Sequence, residues 1–167
     1  GWTFPGLAGR PTTIGLGGHW GQRELDDGAG EEDFDSWSLA LDMKVPLHET
    51  LTLEGELWTG QFLEGYQGGI LQGFNFTEGD EVQSRGGFAQ LQFIPNPDWK
   101  FFGGFGIDDP RDDTGLKRER NLTYFFNARR AITKNTWVGL EYQRIETEYD
   151  NETAEDNRFQ TTFILWY

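Results

Sequence analysis

Glu54 and Glu56 stand two residues apart, a spacing that puts both carboxylates on the same face of one strand. Paired carboxylates on a curved sheet suit glycoside hydrolysis. The plainer reading, a charged face with basic partners across it, is preferred. Only two histidines are present, His19 among glycines and His48 in a short turn, and neither has a signature nucleophile beside it. A Ser–His–acid enzyme is therefore not expected. Asp26, Asp27, Glu31, Glu32 and Asp33 are hard oxygen ligands of the kind calcium takes, but they lack the Asp-x-Asp-x-Asp-Gly spacing of a dedicated loop. Solvated charge is the default for such a run. The mixed cluster Asp108–Asp113, followed by Lys117-Arg118-Glu119-Arg120, and the sequon-like triplets at Asn75, Asn121 and Asn151 add no catalytic motif. The expectation is a chain that is not an enzyme and carries no metal and no cofactor.

The rest of the composition says what kind of scaffold holds these charges. The 167 residues make one domain, and 14 basic against 28 acidic residues leave a net charge of −14. That field repels phosphates, so no nucleic-acid partner is expected, nor docking on anionic lipid through a basic face. With no cysteine, neither disulfides nor thiolate metal sites are available. Mean hydropathy is −0.64, low for a domain with a filled core, yet there are 14 Phe, 7 Trp, 5 Tyr and 23 Gly. A disordered acidic chain would be poor in aromatics; Gly-rich, aromatic-rich and polar overall is a β profile. No run of 18 apolar residues suggests a membrane helix.

Period two dominates the chain. Trp37, Leu39, Leu41, Met43 and Val45 alternate with Ser38, Ala40, Asp42 and Lys44, and Leu51, Leu53, Gly55 and Leu57 alternate with Thr52, Glu54, Glu56 and Trp58. Similar runs centre on Leu16, Ala89, Phe105, Tyr124, Leu140 and Phe163, giving eight strands. Connections alternate between short (46–50, 95–98, 132–136) and long (24–35, 64–82, 109–120, 146–157), and the long ones carry most of the acid. Residues 1–9 fit no strand well, so the division is an N-terminal segment 1–9 and a β domain 10–167.

A sheet with one polar face can cover a soluble core. Three features favour the inverse, with the apolar face to lipid and the polar face to a lumen. The polar face is highly charged yet regular. The runs have the length of a tilted bilayer-crossing strand. Short turns at one end and long loops at the other are the asymmetry of an outer-membrane barrel. Trp20, Phe34, Trp37 and Tyr149 near the long-loop end, with Trp99, Trp137, Trp166 and Tyr167 near the short-turn end, read as two interfacial belts.

On these residues the chain resembles bacterial outer-membrane β-barrel proteins of the porin type. The final run, with Phe159, Phe163, Leu165 and Tyr167 at alternate places, is similar to that family's C-terminal assembly signal; Thr161 departs from it. The resemblance spans roughly residues 10–167 and implies an all-β fold: an antiparallel up-and-down transmembrane β-barrel of about eight strands, with short periplasmic turns and long acidic outer loops. It implies the outer membrane as location, with membrane lipid, lipopolysaccharide and the barrel-assembly machinery as partners, and leaves a homo-oligomer open. His19, Asp42, Lys44, Glu54, Glu56, Lys100, Arg129, Glu141 and Arg158 are expected to line the lumen, acids pairing with bases, with Trp58, Phe88, Phe102 and Phe125 filling it. The expected function is porin-like passage of small hydrophilic solutes or ions, with a modest cation preference. With no initiator Met, the chain reads equally as a complete eight-stranded barrel and as the C-terminal half of a larger one. Two alternatives are a plugged structural or surface-interaction barrel and a soluble β-sandwich or calyx that binds a ligand.

Overall fold

A computed structural model describes residues 1–26, 31–66, 68–111 and 117–167. The described chain is an antiparallel meander. In the main sheet, β1 (Trp2–Pro5), β2 (Pro11–Asp26), β3 (Glu31–His48), β4 (Leu51–Gln61), β7 (Gln83–Asn96), β8 (Trp99–Pro110), β9 (Arg120–Thr133), β10 (Thr136–Tyr149) and β11 (Glu152–Leu165) lie side by side in chain order. A two-stranded ribbon, β5 (Phe74–Asn75) and β6 (Asp80–Glu81), stands apart from it. The eight expected strands are all present. Residues 2–5 form a further short strand: Trp2 pairs with Ile14 and Pro5 with Pro11, around a turn containing Ala8 and Gly9 at positive φ. Among the described residues, β1 and β11 are the free edges, and the sheet is not closed on itself.

At one end, two-residue turns join the strands at Glu49–Thr50, Pro97–Asp98 and Lys134–Asn135. Side chains brace them. Asn96 Oδ1 accepts the Asp98 and Trp99 amides at 3.0 and 3.1 Å, and Thr133 Oγ1 accepts that of Asn135 at 3.2 Å.

The opposite end differs from expectation. The strands run on through the segments read as acidic loops. β10 and β11 meet at a two-residue turn, Asp150–Asn151, so Glu146, Glu148, Glu152, Glu155 and Asp156 stand on strands. β2 and β3 likewise extend to Asp26 and Glu31. Long connections remain only at 62–82 and 111–119. Backbone ladders need no apolar side chains in water, so pairing outlasts the alternation that reveals it.

Register sorts the side chains onto two faces. One ladder row runs Leu16–Leu41–Leu57–Gly87–Ile107–Leu122, and another on the same face, two rows along, runs Val45–Leu53–Leu91–Gly103–Phe126–Tyr142–Phe159. No described element covers these residues: Leu57 is 65% exposed, Phe126 53% and Phe159 82%. Cross-strand ring pairs run along this face, Tyr142 on Phe159 at 5.0 Å and Phe93 on Phe101 at 6.2 Å. Immediately above the apolar belt come ion pairs: Arg85–Asp109 at 2.8 Å, Arg120–Glu148 at 2.7 Å, and Arg144 with Glu146 and Glu155 at 2.7 Å. Of the expected belt aromatics, Trp20 and Trp37 pair on this face, but Trp137 and Phe34 lie on the other. Their odd–even parity along β10 and β3 decides it.

The belt does not follow the ladder. The row through Gly17, the middle of the β2 apolar run, passes Ala40, Trp58, Gly86, Asp108, Asn121 and Thr147 to Ala154. The middle of the β11 run is Thr162, eight residues further on. Eight residues at about 3.4 Å, against seven inter-strand steps of about 4.8 Å, tilt the strands about 39° from the belt's normal.

Candidate site on the polar face beneath residues 62–82

All nine sequence-singled polar residues fall on one face of the sheet, because the register joins them row by row. Asp42 lies opposite Glu56, Lys44 opposite Glu54, Lys100 opposite Arg129, Glu141 opposite Asn127, and Arg158 opposite Gln143. His19, opposite Ser38, shares that face.

The expected acid–base pairing is mostly absent. Of these residues only Lys44 and Glu54 form an ion pair, at 2.6 Å, and Gln90 also donates to Glu54 at 2.9 Å. Lys100 instead rests over the Trp137 ring at 4.5 Å, and Arg129 over Phe102 at 4.9 Å. Arg158 donates to Gln143, and Asn127 donates to Glu141 at 3.3 Å. Register is the cause. It places base opposite base at Lys100–Arg129 and acid opposite acid at Asp42–Glu56, so aromatic rings and amides take the role expected of counter-charges. Asp42 and Glu56 have no hydrogen bond or ion pair among the described residues.

The one buried apolar cluster of the described chain lies on this same polar face. Phe62, Leu63, Ile70 and Val82 are buried there; Phe102 of β8 is also buried but lies toward the short-turn end, opposite Gln92 and Asn127. The four belong to the connection from β4 to β7, which folds back over the sheet. Phe62 donates its amide to the Val82 carbonyl at 3.0 Å, and Val82 donates to Gly73 at 2.9 Å. Arg23 of β2 lies over the Phe62 ring at 5.0 Å and reaches Glu64 at 3.7 Å. Ser36 Oγ donates to the Phe62 carbonyl at 3.1 Å, and Asp108 Oδ2 accepts the Ile70 amide at 2.9 Å. Phe62, Ile70 and Leu71 hold positive φ angles of 54°, 52° and 60°. For a β-branched residue such as Ile70 that backbone is strained, and it persists only where surrounding contacts over-determine it. Here the Asp108 carboxylate is such a contact.

His19 is built into this assembly. Because Ser36 Oγ gives its proton to Phe62, it accepts from His19 Nε2 at 3.2 Å, while Nδ1 and Ser38 Oγ share a hydrogen bond at 2.7 Å. The imidazole is thereby held between the two serines, and Tyr66 of the connection lies against it at 4.2 Å between ring centroids. Between the connection and the sheet is a cavity of about 220 Å³ bounded by His19, Ser38, Glu56, Trp58, Leu63 and Tyr66. A shallower recess of about 290 Å³ adjoins it through Glu56 and continues past Asp42, Lys44 and Glu54 to Phe88. Sequence reasoning identified His19, Glu56 and Trp58, but not Tyr66 or Leu63, which show no period. The spacing of Phe62-Leu63 just beyond a strand end was the available signal.

Among the described residues no group of three or more His, Cys, Asp or Glu is arranged to hold a metal ion. Of the acidic run expected in a loop, Asp26 ends β2 and Glu31, Glu32 and Asp33 begin β3; Asp27 and the pair Asp112-Asp113 lie outside the described residues. His48 hydrogen-bonds Thr50 at 3.2 Å in its turn, away from the cavity. At the far end, Phe159, Phe163 and Leu165 are exposed on the apolar face and Tyr167 follows β11, also exposed. No protein-family model, curated protein or solved structure matches the chain.

Proposed function

We propose that the chain forms wall of a bacterial outer-membrane β-barrel, with its apolar face to lipid and its polar face to an aqueous lumen that residues 62–82 narrow. The barrel would pass small hydrophilic solutes and favour cations.

The observation that carries this reading is the uncovered apolar belt and its stagger. Exposed leucine, phenylalanine and tyrosine side chains from β2 to β11 present on the order of 1,000 Å² of apolar surface, about twice the largest patch of a water-soluble monomer. Total accessible surface is 10907 Å², against about 8,400 Å² expected of a compact soluble chain of this mass. A tilt of about 39° lies within the range of membrane barrels, about 35–45°. At that tilt the eight-residue steps Trp37–Val45 and Trp99–Ile107 each climb about 21 Å, close to the apolar height of such barrels at about 25 Å. The ion pairs above the belt then stand at the water boundary. A sandwich would need a second sheet facing the apolar side, and the described chain has a single large sheet.

In lipid the free edges of β1 and β11 need partners, because hydrocarbon offers no hydrogen bonds to their backbone groups. The wall is completed either by closure within the chain or by further strands. Boiled and unboiled samples of the detergent-refolded chain, run side by side on a gel, separate these. A faster unboiled band indicates closure by these residues alone; no shift, with detergent still required, indicates a wall completed from outside. A protein monodisperse in buffer without detergent would sink the membrane reading. For the closed form, absence of conductance in planar bilayers would leave the plugged structural barrel in place of passage.

A further inference from the structure

The cavity under residues 62–82 has a composition that selects a ligand class, an inference that rests on the solute-passing reading of the same face. We propose that it binds a small organic cation of the alkylammonium type. Two observations converge on this. The first is an unbalanced charge. Glu56 lines the cavity and stands directly opposite Asp42, and neither carboxylate has a partner among the described residues. Like charges directly opposite across a ladder destabilise it. One row away, the equivalent carboxylate of Glu54 is neutralised by Lys44 at 2.6 Å. A cation at Glu56 would complete the same pattern.

The second observation is the wall. Trp58 and Tyr66 bring two aromatic side chains to a cavity that also holds the carboxylate, and aromatic faces attract desolvated ammonium groups. His19 competes for neither role, since both ring nitrogens are taken by Ser36 and Ser38 and its ring lies on Tyr66. Elsewhere on the same face this chain already uses that chemistry, with Lys100 over Trp137 and Arg129 over Phe102. A volume of about 220 Å³ corresponds to about seven water molecules, room for a choline-sized ion.

The test is calorimetric titration of the full chain in detergent micelles with choline chloride, against sodium chloride and glucose. Choline should bind where sodium and glucose do not, and Glu56→Gln and Trp58→Leu should each weaken it at least tenfold. Glu56→Gln also relieves the Asp42 repulsion, so its unfolding midpoint should hold or rise. A loss of binding by this variant is then not a loss of fold. Trp58→Phe keeps a ring and should retain most of the binding. No choline binding by the parent chain, affinity unchanged in both variants, or glucose bound in preference would overturn the proposal. Conductance is read separately. A chain that conducts without binding choline refutes the site alone, whereas binding without conductance supports the site and counts against passage.

Discussion

Phe126→Arg places a charge near the middle of the apolar belt on β9, where the outward run extends from Leu122 to Ala128 between Arg120 and Arg130. Phe126 is 53% exposed, so in water the replacement would be a surface change within about 0.5 kcal/mol. In a bilayer the cost depends on depth: about 2–4 kcal/mol for Arg at the midplane, falling to about 0–1 kcal/mol near the interfaces. Leu122 lies four residues from Phe126 along a strand tilted about 39°, hence about 11 Å higher, near the edge of a belt about 25 Å tall. Phe126→Arg should therefore shift the folding equilibrium by about 30- to 900-fold, and Leu122→Arg by less than about 6-fold. Urea unfolding of the chain in phospholipid vesicles measures both. Equal effects at the two positions, or a Phe126→Arg change within about 0.5 kcal/mol, would refute the assignment of this face to lipid.

Further outcomes follow from the polar face and the terminus. Asp108→Ala removes the acceptor of the Ile70 amide and should loosen residues 62–82; limited proteolysis within 62–82 should accelerate severalfold, and Asp108→Asn, which keeps a carbonyl acceptor, should restore much of the protection. Lys44→Ala frees Glu54 but costs at most about 1 kcal/mol, the pair being partly exposed; reversal potentials should move toward greater cation selectivity with little change in stability. Glu56→Gln should raise stability by about 0.2–1 kcal/mol by ending the repulsion from Asp42, read as a higher urea midpoint. Removing Tyr167, which is exposed beyond the last strand, should reduce assembly in bacterial cells while leaving refolding in detergent unchanged.

Alternation made most of the sheet readable in advance. Trp37 to Val45 declares a strand because one face is apolar and the other polar, a contrast that survives without knowledge of any neighbour. Where both faces turn polar, as at Glu146–Tyr149 and Glu152–Asn157, the contrast vanishes, and pairing that continues there reads as loop. Trp2–Pro5 escaped for a related reason. With prolines at Pro5 and Pro11, its pairing is a short edge contact that leaves little pattern. Residues 62–82 hid more completely. Phe62, Leu63, Ile70 and Val82 have no period, and their burial follows from a fold-back held by Ser36 and Asp108, far away in the chain.

The candidate site divides along the same line. That His19, Asp42, Glu56 and Trp58 share a face follows from parity within each strand, a local property that any reader of the sequence can count. Which of them meet is a matter of register between strands, and register is set by turns, bulges and the stagger of the whole sheet. Register put Asp42 opposite Glu56 rather than opposite a base, and Lys100 opposite Arg129 with Trp137 beneath it. Tyr66 came to lie on His19 only because the intervening chain folds across the sheet. Period two is written residue by residue, so the sequence determines which face each side chain takes; partners and cavities arise between segments, and only the tertiary structure chooses them.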